Sequence, residues 1–88
     1  MVVYSIKLKK GAKKDLKKIK GTYLEQSLLD VIAQLRQDPY APNQSFEKLV
    51  PPVKGYYSRR INVQHRVVYK IDDSNNTVVI YSAWSHYQ

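Results

Sequence analysis

Four polar residues in the second half of the chain have side chains that together could break a phosphodiester bond of RNA. They are a carboxylate, Glu47, two cations, Arg60 and Arg66, and an imidazole, His86. In RNA cleavage without a metal, a base takes the 2′-hydroxyl proton, cations hold the phosphate as charge builds, and an acid protonates the departing 5′-oxygen. Each residue alone is typical of a solvated surface. Only the combination favours this chemistry.

The period of a β-strand predicts that Arg60 and Arg66 lie together. Residues 55–61 and 65–71 have the composition of two antiparallel strands joined by a turn. Side chains two residues apart share a face, so both arginines point outward if the more apolar faces cover the helices. Adjacent like charges repel, and an anion between them would stabilise the pair. The alternative is two solvated arginines, which the spacing alone favours.

The chain is strongly basic. Lys and Arg number 15 against 7 Asp and Glu, which gives a formal net charge of +8 on 88 residues. Such a charge density favours a polyanionic partner, and the eight tyrosines offer stacking faces for unpaired bases, although most should serve the core. Two other interpretations stay open from charge alone. One is a basic surface that keeps a small domain soluble, and the other is a basic face covered by an acidic protein.

Length and residue types exclude several classes of protein. The chain should form one domain, 1–88. The absence of cysteine excludes disulfides and cysteine-based metal sites and fits a reducing compartment. Two histidines without an acidic cluster make poor ligands, so we expect no metal and no cofactor. The apolar residues 1–6 are too short for a membrane span and lack a signal-peptide cleavage pattern, which predicts a soluble cytoplasmic protein.

A strand and a lysine-rich helix are predicted for the first quarter of the chain. Residues 2–8 alternate between apolar and polar types. Ala12, Leu16 and Ile19 then fall at helical spacing, and Gly21 should end the helix. Four lysines on the other faces are candidates for docking onto RNA: Lys13, Lys14, Lys17 and Lys18. A solvated helix face is the more common interpretation of such a run.

A second helix should begin at Thr22, with Glu25 completing a capping box. It should end at Asp38-Pro39, because the residue before proline resists helical geometry. One apolar stripe lies between these ends: Leu24, Leu28, Val31 and Leu35.

The remaining residues predict strands. Residues 45–50 could form a short edge strand that carries Glu47, and 55–61, 65–71 and 77–84 form a meander. The fold class is therefore α+β: a small antiparallel sheet in the order β-α-α-β-β-β, with an extra short edge strand and two helices on one face.

Four segments of the chain resemble the YoeB branch of the RelE superfamily, the ribosome-dependent mRNA endonuclease toxins of bacterial toxin–antitoxin pairs. They are Glu47-Lys48-Leu49, Tyr57-Ser58-Arg59-Arg60-Ile61, His65-Arg66-Val67-Val68-Tyr69 and His86-Tyr87. The resemblance is strong from about residue 45 to residue 87 and looser through the first strand and the helices. Many members of the family end at the His-Tyr pair, whereas here Gln88 follows it.

The resemblance implies a role for each matching residue. Glu47 matches the general base, Arg66 and Arg60 match the phosphate-binding arginines, and His86 matches the general acid. Tyr87 matches the tyrosine that orients the substrate and supports the acid. Two neighbours of Arg60 are added as substrate contacts: Arg59 and Tyr57. The implied product is a 2′,3′-cyclic phosphate.

The resemblance also implies partners. They are the ribosome and mRNA, and an antitoxin of the YefM or Axe type whose acidic C-terminal segment folds over the basic site. A second copy of the chain is a further candidate. Arginines near Glu47 would make it a weaker base, a conflict that alignment of the substrate by the ribosome would resolve.

Two other functions stay open. One is a basic RNA-binding or ribosome-binding module without catalysis. The other is an interaction toxin that poisons DNA gyrase, although relatives of that kind lack the glutamate, arginine and histidine set.

Overall fold

Two helices pack on one face of a five-stranded sheet in the computed structural model, which describes residues 3–49 and 55–84. The elements in chain order are β1 (Ser5–Leu8), α1 (Lys10–Ile19), α2 (Glu25–Gln37), β2 (Glu47–Lys48), β3 (Tyr57–Arg60), β4 (Arg66–Asp72) and β5 (Thr77–Ser82). The strand order across the sheet is β1-β5-β4-β3-β2. The predicted α+β class is confirmed. Neither described helix is long and apolar enough to cross a membrane.

One strand pairing differs from the predicted antiparallel sheet. β1 runs parallel to β5, with Ser5 opposite Thr77 and Leu8 opposite Ile80, whereas the other neighbours are antiparallel. Parallel neighbours need a long crossover connection, which the helices and the intervening strands provide here. The sheet is therefore mixed. The predicted short edge strand is present as β2, at the edge opposite β1.

The core lies between the helices and the inner face of the sheet. The helices bury the predicted apolar positions except Leu16, which is partly buried. The strands contribute inward-facing residues from β4 and β5. The buried cluster includes Ala12, Ile19, Leu24, Leu28, Val31, Leu35, Val67, Tyr69, Val78 and Ile80. Full burial of one such aliphatic side chain contributes about 1.5–3 kcal/mol, so this layer fixes the sheet that carries the polar residues on its other side.

The connection between the helices differs from the predicted capping box. α2 begins at Glu25, and Leu24 before it has helical geometry and no side-chain cap. Thr22 Oγ1 donates to the carbonyl of Ile19 at 2.6 Å and accepts from the N–H of Leu24 at 3.2 Å. The Glu25 carboxylate accepts from the N–H of Gly21 at 3.4 Å. The predicted residues therefore stabilise a turn that precedes the helix.

Asp73, in the turn between β4 and β5, joins three segments remote in sequence. Its carboxylate accepts a hydrogen bond from the Tyr40 hydroxyl at 2.6 Å and another from the Tyr4 hydroxyl at 2.7 Å. Both bonds favour the charged carboxylate, so they lower the pKa of Asp73 below its ordinary value. The same hydrogen bonds raise the pKa of both tyrosines.

Candidate functional site

Glu47, Arg60 and Arg66 lie on the face of the sheet away from the helices. Glu47 is the Cα partner of Ser58, and Arg60 is the partner of Arg66. Partners in an antiparallel pair project to the same face, as do residues two apart along a strand. The register therefore brings the three side chains to one surface and places the two arginines side by side, as the strand period predicts.

The charges on this surface do not balance. Arg66 Nη1 lies 3.5 Å from Glu47 Oε1, and the two side chains are 19% and 60% exposed. A contact this long and this exposed contributes only about 0–1 kcal/mol to stability. Arg60 beside it is exposed. These three residues thus supply one carboxylate and two guanidinium groups, and the excess positive charge suits an anionic ligand such as a phosphate.

A strained turn just before β2 places Glu47 at the edge of the sheet. Gln44 and Ser45 have positive φ angles of 53° and 55°, a left-handed geometry that costs a non-glycine residue about 1–3 kcal/mol. The carbonyl of Gln44 accepts the N–H of Arg60 at 2.9 Å. The turn is thereby fixed to the end of β3, and the chain enters β2 with Glu47 on the same face as Arg60.

Arg59 lies in the interior, not on the predicted phosphate-binding surface. Its exposed fraction is 0%, and its guanidinium donates five hydrogen bonds of 2.8–3.0 Å. The acceptors belong to Tyr69, Pro39, Ala41 and Asn43. A phosphate contact is incompatible with this position. Arg59 instead holds the irregular segment between α2 and β2.

Tyr57 is also on the inner face. Its ring stacks on Phe46 and on Tyr69, with centroids 5.5 and 6.0 Å apart, and meets Tyr40 edge-on at 6.0 Å. This packing places Tyr57 on the side of the sheet opposite Arg60, so the predicted substrate contact does not match its position. Tyr57 supports the site indirectly, through the residue that precedes Glu47.

Two residues outside the predicted site, Asp15 and His65, hold the chain just before residue 85. Asp15 Oδ2 accepts the N–H of Ala83 at 3.0 Å and that of Trp84 at 3.4 Å. His65 Nδ1 lies 2.6 Å from the Trp84 carbonyl, and the two rings stack at 4.3 Å. Because a carbonyl only accepts, Nδ1 must donate. These contacts direct the chain into the segment that contains His86 and Tyr87, which lie outside the described residues.

The sequence around Asp15 indicates that its carboxylate faces the inside of the protein. Asp15 is the one acidic residue in the sequence of α1, and it lies three residues after Ala12 and four before Ile19, which are both buried. This spacing puts it on the inner side of the helix, where an unpaired carboxylate would be costly. A partner for it was therefore to be expected.

The four lysines predicted to dock onto RNA are exposed on α1. Their docking role stays a prediction. Within residues 3–49 and 55–84, no group of three or more His, Asp or Glu side chains is placed to hold a metal ion.

Comparison with known proteins identifies related sequences. The model of the family described as YoeB-like toxins of bacterial type II toxin–antitoxin systems matches residues 11–87. A relative from Synechocystis sp., named Toxin YoeB, is 40% identical over 58 residues, which make up 66% of this chain and 65% of the relative. The match thus spans just under two thirds of that relative's length.

Solved structures with a similar fold cover nearly the whole chain. The YoeB dimer from Staphylococcus aureus has a TM-score of 0.83 at 29% identity, covering 98% of this chain and 100% of the other. A chain of the YoeB–YefM complex from the same organism has a TM-score of 0.78 at 31% identity, with 96% and 98% covered.

Proposed function

The chain belongs to the family of YoeB-like toxins of bacterial type II toxin–antitoxin systems, and from this membership we propose that it is a ribosome-dependent mRNA endoribonuclease. The observation that carries the proposal is the register that sets Arg60 opposite Arg66, with Glu47 3.5 Å from Arg66. A carboxylate beside two cations supplies the base and the phosphate contacts that attack by a 2′-hydroxyl requires.

Cleavage would proceed by transesterification. Glu47 takes the proton of the 2′-hydroxyl, and the oxygen attacks the adjacent phosphorus. Arg66, helped by Arg60, binds the non-bridging oxygens as negative charge builds. His86, oriented by Tyr87, protonates the 5′-oxygen as its bond to phosphorus breaks, which leaves a 2′,3′-cyclic phosphate and a 5′-hydroxyl. Each acid or base contributes about 10²–10⁴-fold, and a preorganised cation about 10²–10³-fold.

The contact between Glu47 and Arg66 leaves the arginine available to a ligand. The 3.5 Å contact is exposed and weak, so a bound phosphate can compete for Arg66. When Arg66 turns towards the phosphate, the Glu47 carboxylate is free to accept the proton of the 2′-hydroxyl.

The proposed partners are the ribosome with its mRNA and an antitoxin. YoeB of Staphylococcus aureus is described in a complex with YefM and as a dimer. We extend both to this chain: an antitoxin of the YefM or Axe type would cover the basic site with an acidic segment, and a second copy could form a dimer. The exposed lysines of α1 (Lys13, Lys14, Lys17 and Lys18) would contact ribosomal phosphates.

Purified protein, ribosomes and a defined mRNA test the proposal. Cleavage is measured by mapping RNA ends, and the 3′ end of the upstream fragment is assayed for a 2′,3′-cyclic phosphate. Glu47→Gln, Arg66→Ala and His86→Gln should each lose activity while still co-sedimenting with ribosomes. Arg36→Ala, an exposed arginine on α2, is the matched control and should cleave like wild type.

The outcome separates the three functions. Ribosome binding by the wild type without cleavage would favour a non-catalytic binding module. Neither binding nor cleavage, together with inhibition of DNA gyrase, would favour an interaction toxin. Full activity of His86→Gln would remove the proposed acid from the mechanism.

A further inference from the structure

Two tyrosines and two lysines form a second cluster, which shares the outer face of the sheet with Arg66. The Tyr56 and Tyr81 rings meet edge-to-face, with centroids 5.1 Å apart and planes at 79°. Lys70 Nζ lies 4.6 Å from the Tyr56 centroid and 5.9 Å from that of Tyr81. Lys9 Nζ lies 5.7 Å from the Tyr81 centroid. These four residues are called the tyrosine–lysine cluster below.

Ring faces, rather than carboxylates, hold the cations of this cluster. Among residues 3–49 and 55–84 the one ion pair joins Arg66 to Glu47, so neither lysine has a described carboxylate partner. A cation over an aromatic ring is held weakly at an exposed site, and an ammonium has three N–H donors. Lys9 and Lys70 can therefore donate to a phosphate without first breaking an ion pair.

The cluster and the proposed cleavage site lie along the same strand, β4. Arg66, Val68 and Lys70 alternate along β4 and share its outer face. The rise of a strand puts the Lys70 Cα about 13 Å from the Arg66 Cα. Tyr56 is two residues before Ser58, which is the Cα partner of Val68. The cluster is thus close enough to Arg66 for one RNA strand to contact both, although Val68 and Ser58 between them are buried.

We propose that the tyrosine–lysine cluster is a subsite for single-stranded RNA next to the scissile phosphate. One lysine binds a backbone phosphate, and an unpaired base stacks on a tyrosine ring that the lysine has left. Both tyrosines are partly exposed, and every base has a π-face, so recognition is independent of base identity. The presence of aromatic rings beside the cations favours a single strand over a duplex, whose bases are already stacked. This subsite extends the proposed function, on which it rests.

Direct binding tests the subsite without requiring cleavage. The probe is a fluorescent 2′-O-methyl RNA of 12 nucleotides (about the span of a single-strand site), which lacks the attacking hydroxyl. Fluorescence anisotropy gives its affinity for wild type, Tyr81→Leu, Lys70→Gln and the double variant. Two exposed residues of the helix–helix turn provide matched controls, Tyr23→Leu and Lys20→Gln. Melting temperatures confirm that each variant is folded.

The expected result is a loss of affinity of about tenfold for Tyr81→Leu, in line with loss of one stacked base. Lys70→Gln should lose about threefold and lower the salt slope by about one phosphate contact. Both controls should bind like wild type. A duplex of the same sequence should bind all variants equally.

Three results would overturn the subsite. Unchanged RNA affinity in the double variant would leave the cluster as packing only. If the variants lose equal affinity for duplex and for single-stranded RNA, the cluster would be a general phosphate-binding surface. If the variants lose affinity only for a poly-glutamate peptide, measured in parallel, the cluster would be assigned to an acidic protein partner. Wild type that binds RNA through the cluster but never cleaves mRNA on ribosomes would refute the endoribonuclease proposal and leave the subsite standing.

Discussion

Arg59 and Arg60 are neighbours in the chain and have opposite environments. Arg59 points to the inner face, is 0% exposed and has five protein acceptors for its guanidinium. Arg60 points to the outer face, is exposed and has another arginine as its strand partner. Because the protein supplies the acceptors for Arg59, that cation serves stability. Among residues 3–49 and 55–84 the one described acceptor for the Arg60 and Arg66 side chains is the Glu47 carboxylate, so those cations are left for a ligand.

The buried contacts of Arg59 therefore determine whether the outer surface with Glu47, Arg60 and Arg66 can form. The oxygens that surround Arg59 come from the segment that leads to β2. A cation in the interior thus holds the loop that delivers Glu47 to the outer surface.

Arg66→Ala should lower the rate of ribosome-dependent cleavage by about 10²–10³-fold, because the developing charge on the phosphate loses its cation. The loss should be at least as large as for Glu47→Ala, since hydroxide or another base can partly replace a carboxylate. Single-turnover rates at saturating ribosome check both. Thermal melts should change little, because the exposed ion pair contributes little to stability. A near-normal rate for Arg66→Ala would exclude it as the phosphate contact.

Arg59→Leu should lower the free energy of unfolding by about 3 kcal/mol or more, because it removes five hydrogen bonds and leaves their buried acceptors unpaired. Arg60→Leu is the matched control, and its change should stay within about 0.5 kcal/mol. Urea unfolding followed by circular dichroism measures both. Equal destabilisation by the two substitutions would contradict the division between a structural and a ligand-binding arginine.

Asp15→Ala should lower kcat by about tenfold and leave KM nearly unchanged, because the chain before residue 85 loses its hydrogen bonds to the carboxylate. Asp15→Asn, which keeps an acceptor oxygen, should recover part of the rate. Asp30→Ala, an exposed carboxylate on α2, is the control. A change in KM alone, or a rate unaffected by Asp15→Ala, would show that this contact does not position the acid.

Asp73→Asn should change how stability depends on pH. The pKa of Asp73 is lowered in the folded protein by the hydroxyls of Tyr40 and Tyr4, so the carboxylate stabilises the fold above its unfolded value of 3.8. The stability that it contributes should be lost as the pH falls below 3.8 through the folded pKa. Melting curves of wild type and variant should thus differ most near neutral pH and converge in acid. A difference that persists at pH 2 would mean that packing, not charge, accounts for the effect.

The sequence predicted the faces of the strands but not what lies against them. Period 2 correctly assigned Arg60 and Arg59 to opposite faces, and it placed Arg60 with Arg66. It could not show that Arg59 would be buried, because most of its acceptors are oxygens of an irregular segment with no periodicity. The substrate contact added at Arg59, the neighbour of Arg60, is one that its buried position does not allow.

The sequence pattern also could not predict which strands pair when they are far apart in the chain. β1 has the alternation of a half-buried strand, which predicts a strand but not its neighbour. The pairing of Ser5 with Thr77 joins residues far apart in the chain, and nothing local encodes it. In contrast, the ends of α1 and α2 follow from Gly21 and Pro39, because backbone chemistry at these residues acts locally.

The position of β5 has a consequence for how the chain folds during synthesis. β5 lies between β1 and β4, so the first strand has no neighbour until residues 77–82 have been made. Domains assemble as the ribosome releases them, at about 5–20 residues per second, and pairing of distant segments is slow. A nascent chain that ends before Thr77 can form its helices and the β3–β4 hairpin, but it cannot complete the sheet. The sheet is therefore completed only late in synthesis, when β5 pairs with β1 and β4.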